Sequence, residues 1–139
     1  MKKAIRFKSK TCQLASVREA VRRFLQESGH DECEAELIVL ALDEACTNII
    51  RHAYCHAPRP VLLRMERGQG VLRFVLRDFG TPCDPRKIRG RELEDVRPGG
   101  LGVHIIRKAF DRVEYAPLRR GTRLVLEKFT GTGDLSRKA

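Results

Sequence analysis

The sequence predicts an α+β fold, a two-layer α/β sandwich in which helices cover one face of a mixed, mostly antiparallel sheet. Three observations predict it. Two segments, residues 14–25 and 32–54, carry apolar residues at helical spacing. Two pairs of short β-rich runs, 61–77 and 112–129, are each split by a glycine-containing turn, which is the pattern of hairpins. Helices and strands do not alternate regularly, which disfavours a parallel sheet built from βαβ units.

The elements follow in chain order. Ala4 to Lys8 alternates loosely and predicts an edge strand. Leu14, Val17, Ala20, Val21, Phe24 and Leu25 recur as one helical face, and Ser28-Gly29-His30 stops that helix. Asp31 is then a candidate N-cap, with Glu34 three residues later as in a capping box. The helix it opens runs to about residue 54, because Pro58 and Pro60 bar continuation. Its residues Ile38, Leu42, Ala45, Ile49 and Ala53 share one arc, which should pack on the sheet. Val61–Glu66 and Val71–Arg77 form a hairpin about Gly68-Gln69-Gly70. Residues 83–98 read as a polar, cationic loop. A helix follows from Leu101 to Phe110, and Arg112–Ala116 with Thr122–Phe129 close the sheet around Arg119-Arg120-Gly121. The expected organisation is one domain over residues 1–130 with a flexible tail at 131–139.

Composition narrows the function classes. Hydrophobic residues make up 42% of the 139, enough for a core, and charged residues 33%. No apolar run reaches the roughly 20 residues a membrane helix needs. The basic start lacks an apolar h-region, so no signal peptide is expected. Five cysteines are scattered without a C-x-x-C pair. That argues against a disulfide framework and for a reducing, cytoplasmic setting. Cys55-His56 near His52 lacks a second pair of close ligands for zinc. The net charge of +10 raises nucleic acid as a partner. The cations are spread along the chain, however, and aromatics are few, so an anionic ligand or acidic protein is the better fit.

Three local patterns carry chemistry, each with a bland alternative. Glu44, Asn48 and His52 stack at i, i+4 and i+8 off the apolar arc. They either serve one ligand together or form a solvated stripe in which Glu44 pairs with an arginine. Asp78-Phe79-Gly80 ends a strand, as a buried acceptor or as an ordinary turn. Pro98-Gly99-Gly100-Leu101-Gly102 opens a helix whose free N–H groups would suit an anion, or is simply a flexible helix start.

Taken in order, E-A-C-T-N-I-I-R-H-A-Y, D-F-G-T-P, G-G-L-G-V-H-I-I-R and G-T-R-L resemble the GHKL ATPase superfamily, over roughly residues 5–128. The short chain, the His-Ala-Tyr ending and the D-F-G-x-P turn resemble its anti-sigma-factor serine kinases. The resemblance implies the Bergerat-type ATP-binding fold, with ATP and Mg²⁺ as cofactors. It implies Glu44 as general base and Asn48 as the magnesium ligand. It implies Asp78 as the reader of the adenine amino group, with Gly80 beside the base and Thr122 supporting that contact. Gly100, Leu101 and Gly102 would approach the phosphates, and Arg107 stands where relatives carry Lys or Arg. Arg18 matches a partner-touching position. The implied partners are a STAS-domain anti-sigma antagonist, phosphorylated on serine, and a sigma factor or similar regulator. A homodimer through the sheet is also implied, for which the edge near residues 4–8 offers a route. Neither nucleic acid nor a membrane is expected. Pro82 departs from the usual second glycine, which leaves open a non-catalytic, nucleotide-binding capture module. Arg86, Lys87, Arg89, Arg91 and Arg97 lie in the expected ATP lid, and His52 and His104 are expected to be structural.

Overall fold

A computed structural model of the chain describes residues 1–53, 58–80 and 98–130. The elements are β1 (Lys2–Lys8), α1 (Leu14–Glu27), α2 (Glu32–Asn48), β2 (Pro60–Gly68), β3 (Val71–Asp78), α3 (Pro98–Ala109), β4 (Arg112–Pro117) and β5 (Thr122–Phe129). A 3₁₀ turn at Thr11–Gln13 precedes α1, and a π-helical turn at Ile49–Ala53 follows α2. The sheet order is β1-β2-β3-β5-β4. Every neighbouring pair is antiparallel, so the sheet is more uniform than the mixed one expected. No described helix is long and apolar enough to cross a membrane.

Side-chain alternation builds the two layers. Val61, Leu63 and Met65 of β2, Leu72, Phe74 and Leu76 of β3, and Leu124 and Leu126 of β5 are buried on one face. The expected arc of α2 is buried too, through Ile38, Leu42, Ala45 and Ile49. Phe74 joins the layers: its ring lies edge-on to Phe24 of α1 at 6.3 Å and to Phe110, just past α3, at 5.8 Å. Cys46 is a packing residue in this core, 1% exposed, and burial pushes its thiol up to about 12, with Asp43 adding to the shift.

The boundaries have local causes. α1 ends in a Schellman motif: Gly29 N–H donates to Gln26 O and His30 N–H to Leu25 O, both at 3.0 Å. Asp31 caps α2 by accepting from Cys33 N at 3.2 Å and Glu34 N at 3.3 Å. Glu34 does not complete a capping box. Its carboxylate instead lies 2.9 Å from His30 Nε2, an imidazole that burial pushes below its ordinary range and the Glu34 charge pulls partly back. Gln69 and Gly70, both at positive φ, make the two-residue turn between β2 and β3.

The outer face of the sheet carries a row of alternating charge. Register places Lys2 beside Glu66, Glu66 beside Arg73, Arg73 beside Glu127 and Glu127 beside Arg112. Arg73 Nε donates to Glu127 Oε2 at 2.6 Å, and Arg112 NH1 to Glu127 Oε1 at 3.1 Å. Glu127 is only 3% exposed although it points away from the core. Burial pushes its carboxyl up, but the hydrogen bonds from Arg73 and Arg112 outweigh this and hold it below the usual range.

Candidate functional site

The end of β3 and the start of β5 form the most tightly built part of the site. Asp78 lies on the inner face, 4% exposed, directly opposite Thr122, which is equally buried. Asp78 Oδ1 accepts from Gly80 N–H at 3.1 Å. Burial pushes the carboxyl above its ordinary range. The backbone N–H groups of Gly80 and Thr122, and the charge of Arg77, pull it partly back. The Arg77 guanidinium sits 4.3 Å from the centroid of the Phe79 ring and donates to the Asp78 carbonyl. Of the residues singled out in sequence, Asp78, Gly80 and Thr122 are therefore brought together by direct contacts.

Gly121, in the G-T-R-L segment, is a site residue that the sequence alone does not single out. It adopts φ +91°, and a Cβ there would lie 1.9 Å from Asp78 O and 2.6 Å from Phe79 Cα. Only glycine lets the β4–β5 turn close onto the Asp78–Phe79 backbone. The signal available in sequence was Gly followed by Thr at the start of a strand. The long-range contact that makes it indispensable was not.

Glu44 and Asn48 stand one helical turn apart on α2, both half-buried at the border of its apolar arc. Both polar atoms of the Asn48 amide are buried and have no hydrogen-bond partner among the described residues. Leaving such a group unpaired costs roughly 1–3 kcal/mol. Its oxygen is a donor of the kind a hard cation takes, so the residues present fit a magnesium–phosphate ligand. Immediately after Asn48 the helix widens into the π-helical turn Ile49–Ala53, whereas the sequence predicts an uninterrupted α-helix to residue 54. Single π turns of this kind recur at functional sites.

α3 packs against α2. It begins at Pro98, three residues earlier than expected, so Gly99, Gly100 and Leu101 lie in its first turn and Gly102 follows. Proline suits a first helical position, and the first-turn N–H groups lack intrahelical acceptors. Arg107 lies in the last turn of α3 and is exposed. It complements the negative end of the helix dipole and is far along the helix from the glycines. His104 is exposed. Arg18 of α1 donates to Asp43 Oδ1 at 2.8 Å, which ties it to α2 beside Glu44. Thr81, Pro82, the cations of the expected lid, Cys55, His56 and the tail lie outside the described residues, as does the His52 side chain.

Residues 7–128 match the family profile described as the histidine kinase-like ATPase domain. Among characterised proteins, the chain is 28% identical over 109 residues to the serine-protein kinase RsbW of Halalkalibacterium halodurans, covering 70% of this chain and 65% of that one. It is 28% identical over 83 residues to the serine/threonine-protein kinase BtrW of Bordetella bronchiseptica, covering 56% and 58%. It thus spans less than two thirds of these relatives' length. Among solved structures, the RsbU and RsbW domains of Rv1364c from Mycobacterium tuberculosis align with a TM-score of 0.69 at 18% identity, over 93% of this chain and 32% of that one. The histidine kinase domain of a blue-light activated histidine kinase from Erythrobacter litoralis aligns with a TM-score of 0.57 at 17% identity, over 90% and 63%. These likenesses extend the antiparallel α+β fold to known relatives. With the profile match over most of its length, the chain belongs to the histidine kinase-like ATPase domain family.

Proposed function

We propose that this chain binds ATP with Mg²⁺ and acts as a serine/threonine protein kinase and anti-sigma regulatory factor. Its substrate would be a serine on a STAS-type anti-sigma antagonist, and its second partner a sigma factor or similar regulator. The observation that carries the reading is the buried, unpartnered amide of Asn48, one turn from Glu44. Relatives named serine-protein kinases support it.

Bound Mg-ATP supplies the phosphoryl group to be transferred. The chain's own residues do the rest. Asp78 accepts a hydrogen bond from the adenine amino group, its carboxyl oriented by Gly80 N–H and closed in by Gly121 and Thr122. Asn48 offers its amide oxygen to the cation. The first-turn N–H groups of α3, at Gly100 and Leu101, with Gly102 close behind, would hold the phosphates of a bound nucleotide, a role that needs no side chain. Arg107 adds positive potential from the far end of that helix. Glu44 takes the proton of the incoming serine hydroxyl. Arg18, held by Asp43, presents a cation to the partner from α1.

The test combines calorimetry with phosphate transfer. Asn48→Ala should weaken Mg-ATP binding by about a hundredfold, the size of a lost charge-assisted contact. Glu44→Gln should bind Mg-ATP normally and lose about 10²–10⁴-fold of transfer to the antagonist. Unchanged Mg-ATP affinity in Asn48→Ala would sink the site assignment. Partner capture by a wild type that binds nucleotide and never transfers phosphate would leave a capture module in place of a kinase.

A further inference from the structure

The first strand of the sheet is an open edge with an uneven set of free backbone groups. Antiparallel pairing alternates between residues that face the neighbouring strand and residues that face away. Arg67 N–H donates to Met1 O at 2.8 Å, and Ser9 N–H donates to Arg59 O at 2.9 Å. The odd-numbered residues of β1 therefore face β2, and Lys2, Ala4, Arg6 and Lys8 face outward. Lys8 is already satisfied: its N–H donates to Gln13 Oε1 at 3.0 Å, and its carbonyl accepts from Lys10 N–H at 2.7 Å. The N–H and C=O groups of Lys2, Ala4 and Arg6 have no partner among the described residues. They stand at the spacing an added strand would match.

Charge and shape select the occupant. Four of the seven residues of β1 are cations, Lys2, Lys3, Arg6 and Lys8, all exposed, and none is an acid. A second copy laid along this edge would set four cations against four, and like charges placed opposite each other destabilise a strand pair. Edge lysines disfavour self-pairing in this way. They do the reverse for an acidic strand. On the helix side, Lys3 and α1 residues Ala15, Ser16, Glu19, Ala20 and Arg23 line a groove of about 430 Å³ beside the edge. The small side chains of Ala15, Ser16 and Ala20 leave room there for alternate side chains of an incoming strand. Lys3 and Arg23 outnumber Glu19 on its rim.

We propose that the free edge of β1 is a docking site for an extended acidic segment of a partner protein, which adds as a sixth strand. The proposal does not depend on the nucleotide reading. The probe is a blocked seven-residue peptide alternating glutamate with valine and threonine, titrated into the full chain. It should bind with a Kd below about 1 mM at low salt and weaken as salt rises. At saturation, amide exchange should slow at least tenfold at Lys2, Ala4 and Arg6, with Lys3 and Ile5 little changed. Ala4→Pro removes an outward N–H without touching the ladder to β2, a substitution that edge strands tolerate. It should lower affinity at least tenfold at an unchanged thermal midpoint. Should that variant fail to fold, Lys2→Glu with Arg6→Glu reverses charge on exposed positions and should abolish binding. The proposal is overturned by absence of binding, by equal binding of the peptide with glutamine in place of glutamate, or by full affinity in the variants. Self-association abolished by Ala4→Pro would also overturn it, since the edge would then belong to a second copy.

Discussion

Replacing Gly121 by alanine should be among the most damaging single-methyl changes in this chain. Gly29 supplies the control. Both glycines sit at positive φ, +91° and +73°. An alanine at either position meets the conformational cost of that region, about 1–2 kcal/mol. At Gly29 nothing lies within 4 Å of the new Cβ, so the cost ends there. At Gly121 the methyl would sit 1.9 Å from Asp78 O and 2.6 Å from both Asp78 C and Phe79 Cα. Ordinary contact is about 3.5–4.0 Å, so two backbones must part by roughly 1.5 Å or more. That motion pulls Thr122 from Asp78 and strips a buried carboxyl of a backbone donor, roughly 1–3 kcal/mol more. The total of about 2–5 kcal/mol is a large share of the ~5–15 kcal/mol that holds a domain of this size. With a urea slope near 2 kcal/mol per molar, the midpoint should fall by about 1–2.5 M in Gly121→Ala and by under about 1 M in Gly29→Ala. Adenine-nucleotide affinity should drop in the first variant and hold in the second. Equal midpoints for the two variants would refute the contact argument and leave backbone conformation as the whole effect.

Three further outcomes follow from the same geometry. Asn48→Leu removes an unpaired buried amide, so its thermal stability should rise, by about 1–2 kcal/mol, while Mg-ATP binding is lost; a fall in stability would mean the amide has a partner in the free protein. Phe74→Ala empties the junction of three aromatic rings and should cost about 3–5 kcal/mol by urea denaturation. Glu127 is held below the usual carboxylate range, so it stabilises the fold above the ordinary glutamate value near ~4.3, and that contribution disappears as pH falls through the folded value. The stability gap between wild type and Glu127→Gln should therefore be flat above about pH 5 and shrink in acid; a gap that widened in acid would reverse the assignment.

What the chain states locally, the fold obeys. Ser28-Gly29-His30 and Asp31 mark the break between α1 and α2 because the Schellman turn and the N-cap each need only neighbours within six residues. The hairpins are equally local. What escaped the sequence depends on partners far along the chain. Glu127 alternates as a solvent-facing residue and is buried because Arg73 and Arg112 close over it from two other strands. α3 starts at Pro98 and not at Leu101: glycines weigh against helix, but Pro98 at the first position and packing against α2 outweigh them. The π turn after Asn48 has no signature in residue type.

The candidate site divides along the same line. Glu44 and Asn48 could be paired from spacing alone, since one helix fixes their relation. Asp78 and Thr122 come together only through the strand register, and Gly121 is needed only once that register exists. A motif read in sequence is thus a set of residues waiting for a distance. In this fold the decisive distance is the approach of the β4–β5 turn to the end of β3, set by the absence of a side chain at Gly121.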